Sequence, residues 1–155
     1  MNNLFYLGIG LVAFFIAGIA FASKITQEEV SMTATGKFEV SLEPQKDEAA
    51  PAGRMIINKS YSGVLAGSGV GQMISKRTEN GNAIYYAIEE FNGSLGDKNG
   101  EFTLVHRGIM GKASQSLEVN ILEGSGKGQL EGITGLMIIT NLEDGAHLYE
   151  LKYQL

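Results

Sequence analysis

The chain has 155 residues, with 12 Lys and Arg against 17 Asp and Glu, a formal charge of −5 and no cysteine. An acidic chain without a basic cluster is a poor electrostatic partner for nucleic acid, which excludes that class. The missing cysteine removes disulfides, thiolate chemistry and Cys-ligated zinc, and the length suits one domain with its own core.

The first segment, MNNLFYLGIGLVAFFIAGIAFA over residues 1–22, carries no charged side chain. It is apolar apart from glycines from Leu4 to Ala22, with no Lys or Arg ahead of it. Ala20-Phe21-Ala22 supplies the small-x-small pattern read by signal peptidase. The segment therefore reads as an N-terminal apolar helix, either an export signal cleaved after Ala22 or a retained membrane anchor. The remaining domain is expected to be exported, periplasmic or secreted, touching a membrane only through residues 1–22 if these are uncleaved. N-terminal sequencing of the exported form then finds Ser23, whereas an intact Met1 on a membrane-bound product indicates the anchor.

Residues 23–31 form a polar lead-in, and from Met32 to Leu155 the dominant period is two. Ala34, Gly36, Phe38, Val40 and Leu42 alternate with Thr33, Thr35, Lys37, Glu39 and Ser41, the pattern of a half-buried strand. Pro44 is expected to stop it, and PQKDEAAPAG reads as a surface loop. RMIINKSYSGVLAG and GQMISKR follow, and Asn80-Gly81 signals a tight hairpin. AIYYAIEEFNG and EFTLVHRGIM flank a second hairpin in LGDKNG, and SLEVNILEG, ITGLMIIT and AHLYELKYQL complete the series. No amphipathic helix is evident after residue 31. This predicts a single all-β domain over residues 32–155, an antiparallel barrel of about eight strands.

Two near-copies, GSGVGQ at Gly67–Gln72 and GSGKGQ at Gly124–Gln129, look like phosphate loops. A dinucleotide fingerprint would need glycine where Ile74 and Glu131 stand, and a P-loop would need Ser or Thr where Gly128 stands. Strands rather than helices follow both. They are expected to be corners and bends of a curved sheet, with at least one of Gly124, Gly126 and Gly128 at positive φ. Asn58-Lys59-Ser60 and Asn92-Gly93-Ser94 match the short glycosylation pattern, which arises often by chance.

ATGKFEV, SYSGVLAGSG, AIEEFNGSLGDKNGEFTLVHRG, LEGSGKGQLEGITGLM and AHLYELKYQL occur in that order between Ala34 and Leu155. Together they resemble the bacterial family known as domain of unknown function 3224, most specifically in Gly-x-Leu-Gly-x-x-x-Gly-x-Phe-x-Leu-x-His. The resemblance implies an antiparallel barrel of the allene-oxide-cyclase-like type. It assigns no biochemical role. An acidic residue common after the family's Ser-Gly is Val64 here.

Strand parity nominates the inward side chains. Tyr85, Glu89 and Phe91 share one face, Phe102, Leu104 and His106 another, and His147, Tyr149, Leu151 and Tyr153 a third. Glu89 falls among apolar neighbours, where a carboxylate needs a partner, and His106 on the adjoining strand is the expected one. The candidate ligand-binding set is Tyr85, Glu89, Phe102, His106, Tyr149 and Tyr153, beside Met55, Met73, Met110 and Met137. No catalytic group is assigned beyond Glu89 and His106 as candidates. Neither a cofactor nor a metal is implied, since His106 and His147 stand far apart without a ligand spacing. His147 reads as a strand-end histidine. The leading expectation is a noncatalytic barrel holding a small, largely apolar ligand. One alternative is a homo-oligomerising module using Ile84, Tyr86 and Ile88 on the outer face. The other is an isomerase or cyclase using Glu89 and His106.

Overall fold

A computed structural model describes residues 31–111 and 115–155. The apolar segment 1–22 and most of the lead-in lie outside the described residues. Strands β1 (Met32–Gln45), β2 (Gly53–Gly63), β3 (Leu65–Arg77), β4 (Ala83–Leu95) and β5 (Lys98–Met110) are followed by β6 (Gln115–Ile121). The short β7 (Lys127–Gly128), β8 (Thr134–Asn141) and β9 (His147–Gln154) complete the order, with no helix among the described residues. Each long strand pairs antiparallel with its neighbours in sequence, β4 pairs β5, and β1 pairs β9. The result is a closed up-and-down barrel of eight strands, β7 serving only as a two-residue addition to β5. Closure runs through β6 and β8, which meet in a single register pair, Asn120 opposite Leu136, and so form the weakest seam of the barrel.

The turns follow local chemistry. Between β3 and β4, Gly81 takes φ +90, while the Thr78 amide donates to Asn82 O at 2.8 Å and Thr78 Oγ1 accepts from the Asn82 amide at 3.1 Å. Between β4 and β5, Gly96 takes φ +62 at the first position of a two-residue turn, which a type II′ hairpin demands. β1 runs one residue past Pro44, which pairs with Met55 close to the strand's end.

The two glycine motifs do different jobs. GSGVGQ is no corner: it lies inside β3, and the chain reverses earlier, at Gly63 (φ +124) and Val64. Gly67, Gly69 and Gly71 fall on the inward parity of β3, and a Cβ on Gly69 would run into the Glu89 carboxylate. Their missing side chains make room for what neighbouring strands send inward. GSGKGQ does turn the chain, with Gly124 at φ +75 and Gly128 at φ +66, while Gly126 is not left-handed. It leads into Leu130 and Ile133, both fully buried.

Those two residues plug one end of the barrel. They join Phe91, Phe102, Leu65 and Leu151 in a single apolar cluster. Phe91 and Phe102, opposite each other on β4 and β5, have ring centroids 4.8 Å apart. Burial of each such side chain contributes roughly 1.5–3 kcal/mol. Met32 opens β1 at this packed end, whereas Arg77, Ala83, Met110, Asn141 and His147 lie at the other. Only half of the barrel is filled.

Candidate functional site

The unfilled half is a cavity of about 440 Å³ to which all eight barrel strands contribute. Its wall is largely aliphatic and thioether, including Val40, Ile57, Ile139 and Met55, Met73 and Met110. Met137 belongs instead to the packed cluster. Unbranched Met side chains suit an adaptable wall. Tyr85 and His106 line the cavity, as the parity reading expects. So does His147, which starts β9 and stacks on Phe38 at 5.1 Å between centroids.

At the junction of the hollow and filled halves sits a buried polar cluster. Glu89 is fully buried, and Lys59 and His106 are 8% and 3% exposed. Lys59 Nζ donates to Glu89 Oε2 at 2.7 Å, and Tyr61 OH donates to Oε1 at 2.7 Å. Lys59 Nζ also reaches Tyr61 OH at 3.2 Å and stands 4.7 Å from the Phe38 ring centroid. His106 Nε2 lies 3.0 Å from Glu89 Oε2, in ion-pair range but without an aligned hydrogen bond. The pairing register explains the meeting. His106 is opposite Ala87, Glu89 is opposite both Leu104 and Gly71, and Tyr61 is opposite Gly67. Glycine-bearing β3 thus separates β2 from β4 without filling the space between their side chains.

Burial by itself would raise the Glu89 pKa. His106, the Lys59 charge and the donated hydrogen bonds of Lys59 and Tyr61 outweigh it and bring the group from 4.5 to about 2. Burial, reinforced by the Glu89 charge, drives the Tyr61 hydroxyl strongly upward, so it stays a donor. The cluster is therefore an ionised carboxylate fully engaged by its neighbours. Among the described residues no group of three or more His, Asp and Glu side chains could hold a metal.

Glu89 and His106, nominated from the sequence, do meet, but Glu89 lies beneath the cavity floor and is not part of its lining. Phe102 and Tyr149 are buried in the packed half, where Tyr153 packs against the same cluster, and none of the three lines the cavity. Tyr149 OH serves the backbone, donating to Leu65 O at 2.9 Å and accepting from its amide at 2.8 Å. Of the outer-face trio, Tyr86 and Ile88 are exposed, while Ile84 is half-buried and reaches the cavity. Sequence reasoning missed Lys59 and Tyr61. The signal was available, since Met55, Ile57, Lys59 and Tyr61 alternate along β2 and so share the inward face.

A family model described as "Protein of unknown function (DUF3224)" matches residues 34–153. A crystal structure of a DUF3224-family protein with unknown function from Shewanella oneidensis MR-1 is 36% identical to the chain. It aligns with a TM-score of 0.74, over 80% of this chain and 96% of that one. No curated protein matches the chain.

Proposed function

The chain belongs to the DUF3224 family of proteins of unknown function, and we propose that its barrel binds a small, largely apolar molecule without transforming it. The observation that carries this reading is the 440 Å³ cavity with its mostly apolar wall. That volume falls in the range of roughly 300–1,000 Å³ typical of small-molecule sites. Tyr85, His106 and Lys59 place a few polar atoms on that wall, enough to orient one hydrogen-bond acceptor of the bound molecule.

The Glu89 chemistry favours binding over proton transfer. A general base works best with a pKa near the operating pH. Glu89 is held at about 2 and lies outside the lining, so it is a weak base out of reach of a bound substrate. The cluster instead supplies a rigid polar floor. Export of the domain is part of the same proposal and is supported by the uncharged apolar run of residues 1–22 with its Ala20-Phe21-Ala22 pattern.

Titration calorimetry with 1-hexanol, 1-octanol and 1-decanol tests the binding reading. Each added methylene that enters the cavity is worth about 0.8 kcal/mol, so Kd should tighten roughly fourfold per carbon. Ser75→Trp, which projects an indole from the lining into the cavity, should abolish the heat while leaving the melting temperature unchanged. Chain-length-independent binding, or binding that survives Ser75→Trp, would place the apolar molecules elsewhere on the surface.

A further inference from the structure

The overall formal charge is −5, yet among the described residues every charged side chain lining the cavity is basic: Lys59, Lys76 and Arg77. His106 and His147 are the other ionisable nitrogen bases on the wall, and no Asp or Glu among the described residues lines it. From this asymmetry we infer that the ligand is an apolar molecule bearing a carboxylate, its anion held at the cavity mouth by Arg77. The inference rests on the binding reading and names the ligand class of that site.

The positions of the three cations decide where the anion goes. Lys59 already has its charge matched by Glu89 at 2.7 Å, so a second anion on the floor would face the buried Glu89 carboxylate. Lys76 lies on the outward parity of β3 and donates to Pro51 O at 3.0 Å, which ties its ammonium to the β1–β2 loop. Arg77 shares the inward parity of Met73 and Ser75, pairs with Ala83 at the last step of β3, and is exposed. Among the described residues no carboxylate forms an ion pair with it. A planar guanidinium in that place matches a carboxylate with two parallel hydrogen bonds. The arrangement also limits desolvation: the ligand's apolar body enters the dry wall while its charge remains at the wet rim. Carboxylates of the surrounding loops stay outside the lining, and one of them, Asp47, is paired to Arg54 at 3.0 Å.

Calorimetry on the full chain at pH 8 with decanoate and with 1-decanol, two probes of equal chain length, tests this. Decanoate should bind at least tenfold more tightly. Arg77→Gln should remove about that tenfold from decanoate and leave 1-decanol within twofold, while Arg77→Lys should retain part of it, as a point charge without the fork. Raising the salt to 0.5 M should weaken only decanoate. Equal binding of the two probes by the native chain overturns the carboxylate inference and leaves the binding reading standing. So does an Arg77→Gln variant that weakens both alike. If neither probe binds, the binding reading itself falls, and this inference with it.

Discussion

Glu89→Gln should lower the unfolding free energy by about 3–5 kcal/mol, a larger loss than any surface substitution in this chain. The reason lies in the residue left behind. Lys59 is 8% exposed, and its ammonium has the Glu89 carboxylate as its counter-charge at 2.7 Å. An amide in that place can accept a hydrogen bond but cannot neutralise the charge, so the variant either buries an unpaired cation or deprotonates Lys59. Tyr61 loses its ionised acceptor in the same change. Urea unfolding followed by circular dichroism checks the value, and for a chain of this size the melting temperature should fall by roughly 10 °C. His106→Leu should cost less, because it leaves the Glu89 carboxylate still engaged by Lys59 and Tyr61 and strands no buried charge. The double variant Lys59→Met with Glu89→Leu should recover part of the Glu89→Gln loss, since it removes both charges together while the Tyr61 hydroxyl stays without its acceptor. A Glu89→Gln variant within 0.5 kcal/mol of the native chain would show that water reaches the cluster. Ligand affinity measured on the same variants separates the roles: a structural floor carries apolar probes in the double variant, whereas a floor that contacts the ligand loses them.

The barrel was legible because its signals are local and redundant. Alternation places Phe38, Phe91, Phe102, Leu104 and Leu151 inside, and the structure buries all of them. Asn80-Gly81 and Gly96-Asp97 mark the hairpins that join β3, β4 and β5. Glu89 and His106 were legible for the same reason, each standing on an apolar parity. Lys59 was not legible because a lysine on an apolar parity becomes tenable only with its counter-charge, Glu89, which stands two strands away. Its parity with Met55, Ile57 and Tyr61 was the available signal. The split between a hollow and a filled half was not legible at all. It depends on Leu130 and Ile133, which reach the core from a connection, not from a strand, and no period announces them. The same gap placed Phe102, Tyr149 and Tyr153 in the candidate ligand set. Parity says which side chains point inward, but it is silent on the level along the barrel axis at which they arrive. GSGVGQ misled in a related way. Glycine at alternate positions is a turn signal in isolation, whereas in β3 it is the space that Glu89 and Tyr61 occupy.

Acid should reveal the same cluster through its protons. With a folded pKa of about 2 against 4.5, Glu89 binds its proton more weakly in the barrel than in the unfolded chain. A depressed carboxylate contributes stability that is fully present above its unfolded value and is lost as pH falls through its folded value. The loss attributable to Glu89 therefore begins near pH 4.5 and completes only near pH 2. At about 1.4 kcal/mol per pH unit it amounts to on the order of 3 kcal/mol. Other carboxylates titrate in that window too, so the measurement is a difference. Urea unfolding of the native chain and of the Lys59→Met, Glu89→Leu variant is compared at pH 7, 5, 4, 3 and 2. The comparison is read from pH 5 downward, starting above the unfolded value of 4.5. Below it the native chain should lose stability faster than the variant, and the extra loss should continue down to pH 2. Parallel curves throughout would mean that Glu89 titrates alike in both states, and that Lys59, Tyr61 and His106 together only balance the cost of its burial. An extra loss already complete by pH 4 would place the folded pKa near the ordinary carboxylate value, as water entering from the cavity floor would do.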